Sequence, residues 1–286
     1  MPLISIIIPA FNEEEAIGKD LDSVKEAMEK SGYDYEIIVV DDGSIDKTAA
    51  IAQAKGVTLF KHKHNRGYGA AVMTGIKQAR GEIVVTTDAD NTYPNHDIPR
   101  LLKEMEGYDM IVGWRQRESG TWPLLRSPVK FFIRKLAEYI TRSRIPDLNS
   151  GLRAFKRQAA LPYFHILPQG HSWVSTITVA FLSDNLEVKY IPVEYYQRVG
   201  HSKFHPITDT YAYLMLVFRT VMYFRPLKIF FPLASLVLAW GFTRTIHDAF
   251  ISHRIKESDI MIVLAGLMIF VLGLMADLVV KMSHRD

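Results

Sequence analysis

The chain has 286 residues, 48% of them hydrophobic, no cysteine and a formal net charge of +3. That length buries one large core and leaves residues for an attached element. The missing cysteines exclude disulfides, thiolate metal sites and cysteine nucleophiles. So small a charge argues against an extended nucleic-acid surface, while fitting a lipid phosphate or an anionic membrane.

Leu3 to Ile8 reads as a buried strand and Pro9 to Asn12 as the turn after it. The run is too short for a signal-peptide core, has no basic segment before it and ends at Pro9, so nothing is expected to send this domain across a membrane. Ile17, Leu21, Val24 and Met28 recur on one face of a predicted helix, with Asn12 and Glu15 as an expected capping box. Strands are expected over Glu36 to Val40, Val57 to Phe60 and Glu82 to Thr87, and helices over Ser44 to Lys55 and Gly67 to Ala79. This alternation predicts an α/β fold: a doubly wound, mostly parallel sheet covered on both faces.

Asp109 to Gly113 is a further expected strand, and Trp114 to Ser127 is too irregular for either period. Val129 to Thr141 is a predicted helix, basic and amphipathic, with Lys130, Arg134 and Lys135 beside Phe131, Phe132 and Leu136; it suits a membrane surface or a solvated helix packed on the sheet. Glu187 to Val193 is a late strand leading into the basic loop Arg198 to Lys203.

The C-terminus differs in kind. Ile229 to Phe242 is apolar, with Pro232 inside it, and Thr243 to Phe250 extends it with Arg244; Ile260 to Val280 carries only Asp277. At about 1.5 Å per residue the second run spans a hydrocarbon core of about 30 Å, and the first does so if Arg244 snorkels. Two spans joined by a short loop predict a transmembrane helical hairpin in the lipid bilayer. Arg219, Arg225 and Lys228 before it, and Lys281, His284 and Arg285 after it, put both flanks on the cytoplasmic side. The expected organisation is a cytoplasmic catalytic domain over residues 1–205, an interfacial amphipathic helix over 206–228, and a multi-pass cell-membrane anchor with a short tail over 229–286.

Ligands of such sheets gather beyond the carboxyl ends of the strands, and paired acids fall there. Asp88-Ala89-Asp90 brings two carboxylates to the crevice, which suits a hard divalent cation, Mg²⁺ or Mn²⁺, bridging to substrate phosphates. Asp90 is the preferred direct ligand, with Asp88 either ligating the metal or bonding the ribose. In Asp41-Asp42-Gly43-Ser44-Ile45-Asp46, Asp42 is assigned to ligand contact and Asp46 to the helix start. Asn65 to Ala71 is glycine-rich but lacks the phosphate-loop lysine and serine, so its glycines read as close helix packing. Asp147 to Arg153 and Arg198-Val199-Gly200-His201-Ser202-Lys203 place cations on turns that suit a phosphate; for the second loop, lipid headgroups and plain solvation remain open.

Pro9-Ala10-Phe11-Asn12-Glu13, Val39 to Ser44, Asp88-Ala89-Asp90 and Arg198 to Lys203, in this order and followed by the hairpin, resemble the family 2 inverting glycosyltransferases, in the polyprenyl (dolichyl or undecaprenyl) phosphate mannose/glucose synthase branch. The likeness covers roughly residues 3–205 and the paired C-terminal spans. It implies a nucleotide-binding fold of GT-A type, with Pro9, Phe11, Glu13 and Asp42 lining the nucleotide pocket and Asp88 and Asp90 holding the metal and the donor diphosphate. It places Asp147, Ser150 and Arg153 near the donor and acceptor phosphates, and Arg198, Ser202 and Lys203 on a loop that grips phosphate. Asp90, Arg115, Arg153, Arg198, Ser202 and Lys203 are then the catalytic candidates.

Two departures stand out: Trp114, between Gly113 and Arg115, is larger than the residue common there, and Gly170 to Thr176 lacks the acidic general base of many family members, leaving His171 either as a base or as a pocket-wall residue. A lipid phosphate is already ionised near neutral pH and needs no base, so the sequence favours a phosphate acceptor. The expected reaction is inverting transfer of a hexose, mannose or glucose, from GDP-mannose or UDP-glucose to polyprenyl phosphate. The alternative is a hydroxyl acceptor on a lipid or polysaccharide, which would ask for a base. Packing between hairpins of neighbouring subunits would give a homo-oligomer.

Overall fold

The computed structural model describes residues 2–116, 131, 134–170, 172–197, 218, 222–223, 225–251 and 253–283. The chain forms two compact units, Met1–Leu216 and Val217–Asp286.

The first unit is built on a seven-stranded sheet: β1 (Ile4–Ala10), β2 (Tyr35–Asp41), β3 (Thr58–Lys61), β4 (Ile83–Thr86), β5 (Met110–Arg115), β6 (Arg153–Lys156) and β7 (Val188–Val193), in the spatial order β3-β2-β1-β4-β6-β5-β7. All pairings are parallel except those of β6, which runs antiparallel to β4 and β5. The mostly parallel sheet is therefore as expected. The central β6 was not predicted, because Arg153-Ala154-Phe155-Lys156 is short and follows a glycine turn.

Parity along β1 explains the two covered faces. Ile4, Ile6 and Ile8 pack with Ile17, Leu21, Val24 and Met28 of α1 (Ile17–Glu29) and with Ile98 and Leu101 of α4 (Ile98–Lys103). Ile7 points the other way, against Gly75 of α3 (Tyr68–Gln78), where a Cβ would collide with its side chain. The close packing expected of the glycines in Asn65 to Ala71 falls at Gly69, where a Cβ would stand 2.9 Å from Trp173 Cβ. On this second face Phe155 of β6 meets Trp173 and Phe181 of α7 (Trp173–Ser183). Of the expected amphipathic helix, α5 covers residues 134–141, and α6 (Arg157–Ala160) follows β6.

Two local expectations are corrected. Asn12 and Glu15 form no capping box: Asn12 sits at φ 54° and its Oδ1 accepts from Ile45 N at 3.0 Å, while α1 begins at Ile17 without a side-chain cap. The second helix, α2, runs only over Thr48–Ala54, because Asp46 Oδ1 accepts from Thr48 N and Oγ1 and holds the residues before it in a turn.

In the second unit, α8 (Leu227–Ile251) continues through Pro232 and is followed by α9 (Glu257–Ser283). Both are long and apolar enough to cross a membrane, and Leu236, Trp240, Leu264 and Met268 are among the large apolar side chains they expose. Their seam is lined by small residues: a Cβ on Gly266 would stand 2.7 Å from Leu238 Cγ, and one on Gly241 2.9 Å from Val263 Cγ2. Arg244 pairs with Asp259, 3.2 Å away, and Lys256 with Asp248 at 2.7 Å, so the polar residues near the connecting loop neutralise one another.

Candidate active site

The strand order reverses between β1 and β4, so the residues leaving these strands border one crevice. From β1 come Phe11 and Glu13, both half-buried, with Pro9 buried inside the strand opposite Val40. Backbone donors lace this segment to the loop after β2: Asn12 N to Ser44 Oγ, Glu13 N to Thr48 Oγ1 and Glu14 N to Asp46 Oδ2. Asp46 is thereby structural, as expected.

From β4 come Asp88 and Asp90. Asp90 is buried, and its Oδ1 accepts from Thr92 N at 3.2 Å and Thr92 Oγ1 at 2.5 Å. Asp88 is half-buried beside the turn that enters β6, where a Cβ on Gly151 would lie 2.8 Å from both of its carboxylate oxygens. Since β6 is antiparallel, its leading turn comes to the same sheet edge as the trailing loops of the parallel strands. Tyr93 Oη accepts from Gly151 N at 2.7 Å, and Thr86 Oγ1 donates to Gly151 O at 2.7 Å. The Tyr68 hydroxyl lies close enough that burial first, and then the Asp88 charge, push its pKa well up.

Arg115, at the end of β5, grips Asp147 bidentately, Nε to Oδ2 at 2.7 Å and Nη2 to Oδ1 at 2.9 Å. Burial alone would raise the Asp147 pKa, but the hydrogen bond and charge of Arg115 bring it below the ordinary value. The guanidinium also stacks 5.1 Å from the Tyr195 ring centre, and Tyr195 meets Tyr93 edge-on.

Two of the candidate residues are buried, with their polar groups bonded to the protein. Arg153 is wholly buried: Nε and Nη2 donate to Ser150 O, and Nη1 donates to Val174 O and Thr178 Oγ1. The bonds to Ser150 O hold the turn that carries Gly151. Asp42 is 3% exposed, with Oδ1 on His62 Nδ1 at 2.6 Å and Arg66 N at 3.0 Å, and Oδ2 on Gly67 N at 2.8 Å. This carboxylate holds the Arg66–Gly67 loop through its two backbone donors. Ser150 is buried in the same turn. Arg198, Ser202, Lys203 and His171, and most of 206–228, lie outside the described residues.

One residue of this site escaped the sequence reading. Asp20 on α1 is 2% exposed; Oδ2 accepts from Asn91 N at 2.8 Å and Oδ1 from Asn95 Nδ2 at 2.9 Å. Burial, then the charges of Asp90 and Glu13, raise its pKa to about 7, against the lowering effect of those two hydrogen bonds. The available signal was its spacing, three residues after Ile17 and four before Val24, on the apolar face.

Among the described residues no three His, Asp or Glu side chains converge into a complete metal cage. Two carboxylates at a crevice edge, amid further negative charge, fit an oxygen-loving dication that completes its shell with substrate phosphate.

Residues 5–164 match the family described as Glycosyl transferase family 2, and residues 225–282 match the GtrB C-terminal hairpin. The chain is 31% identical over 256 residues, 85% of its length and 74% of the relative's, to undecaprenyl-phosphate 4-deoxy-4-formamido-L-arabinose transferase of Enterobacter sp.. It is 36% identical over 200 residues to an uncharacterised protein of Methanocaldococcus jannaschii, covering 67% of this chain and 80% of that one. Among solved structures, glucosyl-3-phosphoglycerate synthase from Mycobacterium tuberculosis, in complex with Mn²⁺, UDP and glucosyl-3-phosphoglycerate, aligns with a TM-score of 0.59 at 22% identity over 77% of this chain and 79% of that one. That likeness bears on the fold, which is of GT-A type.

Proposed function

Since the chain belongs to the family 2 glycosyltransferases, we propose that it transfers a hexose, mannose or glucose, with inversion from GDP-mannose or UDP-glucose to a polyprenyl phosphate at the cytoplasmic face of the cell membrane. The observation that carries this reading is the Asp88–Asp90 pair at the reversal of the sheet, in a chain that also bears two apolar helices matching the GtrB hairpin. The Enterobacter relative, named for a transfer to undecaprenyl phosphate, supports the acceptor. The hexose and the nucleotide rest on the sequence resemblance.

In this reaction an oxygen of the lipid phosphate attacks the anomeric carbon as the bond from that carbon to the nucleoside diphosphate breaks, and the electron pair leaves with the diphosphate. No proton need be removed from the attacker, so a base is dispensable. Asp88 and Asp90 would hold Mg²⁺ or Mn²⁺, which supplies positive charge to the departing diphosphate. Arg198, Ser202 and Lys203 hold a phosphate by charge-assisted hydrogen bonds. The Arg115–Asp147 pair and the Tyr93 hydroxyl brace the segment that carries Gly151 beside Asp88.

The test uses the full chain in detergent with a set of nucleotide sugars and, in separate assays, a polyprenyl phosphate or a lipid alcohol as acceptor, reading product mass. We expect one sugar-phosphate lipid to form, and Asp90→Ala to lose activity on the order of a hundredfold or more without unfolding. A product made only on hydroxyl acceptors, or full turnover by Asp90→Ala in metal-free buffer, overturns the reading.

A further inference from the structure

Resting on that reading, we propose that Asp20 is a positioning residue that sets the Asp88–Asp90 loop in its metal-binding and diphosphate-binding shape. Its single carboxylate reaches two points of that loop. Oδ2 takes the backbone N–H of Asn91, the residue after Asp90, and Oδ1 takes the side-chain amide of Asn95, whose Oδ1 in turn accepts from Thr87 Oγ1 at 2.8 Å. The loop is thus fastened at Thr87, Asn91 and Asn95 to one side chain of a helix that precedes it by some seventy positions in sequence.

The hold falls at a turn residue, Asn91. Its φ of 58° lies in the left-handed region, and its Nδ2 also reaches Ala16 O at 3.4 Å, at the start of the same helix. Asp90 is therefore bracketed by Asn91, bound to Asp20, and by Thr92, bound to the Asp90 carboxylate itself. Supporting hydrogen bonds of this kind aim a metal-binding carboxylate before any metal arrives.

Position 20 lies on the apolar face of α1, between Ile17 and Val24, where a leucine would avoid burying a charge but take the acceptor from Asn91 N and Asn95 Nδ2. Instead the carboxylate sits buried near the like charges of Asp90 and Glu13. What it provides that leucine cannot is two acceptors facing two donors.

The experiment titrates Mn²⁺ into the full chain in detergent, with UDP and separately with GDP, and follows free Mn²⁺ by electron paramagnetic resonance while thermal unfolding is recorded. Asp20→Leu should weaken Mn²⁺ binding roughly 10–100-fold, the range for lost supporting contacts to a metal ligand. Asn95→Asp alone sets two carboxylates face to face and should weaken it comparably. In Asp20→Asn/Asn95→Asp the side-chain oxygen at position 20 accepts from Asn91 N, its amide donates to the new carboxylate, and Thr87 Oγ1 keeps its acceptor, so affinity should return to within about threefold of the parent.

Wild-type affinity in Asp20→Leu overturns the proposal. So does a double variant that regains its melting temperature without regaining Mn²⁺ affinity, or one that regains neither. A parent chain that binds no Mn²⁺ with either nucleotide defeats the functional reading instead, and the inference falls with it.

Discussion

Gly151 lies against the carboxylate of Asp88, so closely that a Cβ there would stand 2.8 Å from both of its oxygens. The contact joins the loop after β4 to the turn before β6, and it reserves for Asp88 a space that only glycine leaves open. Gly151→Ala should therefore displace Asp88 and lower kcat/KM for the donor about tenfold or more, as misplacement of a reacting group by a fraction of an ångström does. The melting temperature should fall only a few degrees. Unchanged kinetics would show that Asp88 has room to spare.

The Arg115–Asp147 pair is nearly buried, with side chains 11% and 10% exposed. Asp147→Ala leaves that guanidinium without its carboxylate and should cost about 3–5 kcal/mol of stability, measured by chemical denaturation. The pH dependence has a definite sign. Because the folded pKa of Asp147 lies below its unfolded value, its contribution is complete above the unfolded value of about 3.9 and disappears as pH falls through the lower folded one. The stability gap between parent and variant should thus stay constant near neutrality and close only below about pH 4.

Arg198→Ala and Lys203→Ala should each lower turnover on the order of a hundredfold, with unaltered melting, if the loop holds phosphate during transfer. Steady-state kinetics with varied polyprenyl phosphate separates this from weakened lipid contact, which would raise KM and leave kcat in place. Kinetics unchanged from the parent in both variants would remove the loop from the reaction.

The hairpin offers a test free of background, because the chain has no cysteine. Gly266 and Leu238 face each other across the seam of α8 and α9. The pair Leu238→Cys with Gly266→Cys should form an intrachain disulfide when membranes are oxidised, since a disulfide needs Cβ atoms about 3.5–4.5 Å apart. Mass analysis of the digested chain reads the cross-link, and its absence would deny this packing.

Much of the fold could be read beforehand because it repeats short-range patterns. The β-branched runs of β1, β2 and β4, the stripe Ile17, Leu21, Val24 and Met28, and the two long apolar segments each declare themselves within a dozen or two residues. Asp88 and Asp90 were legible for the same reason: an acidic pair directly after an apolar strand. The strand Arg153–Lys156 was not, since four residues carry no period and its antiparallel place between β4 and β5 depends on partners far along the chain. Asp20 showed a signal, an acid at apolar spacing, that gains meaning only once Asn91 and Asn95 are beside it.

By itself, then, the sequence determined the alternation of strands and helices, the acid pair and the apolar hairpin, because backbone preference and hydrophobic period act locally. Which partners each buried charged group finds depends on long-range folding. Asp42 bonds to His62, Arg66 and Gly67, Arg153 to Ser150, Val174 and Thr178, and Asp20 to Asn91 and Asn95. A buried polar group takes its role from whatever donors and acceptors surround it, and those neighbours come from distant parts of the chain.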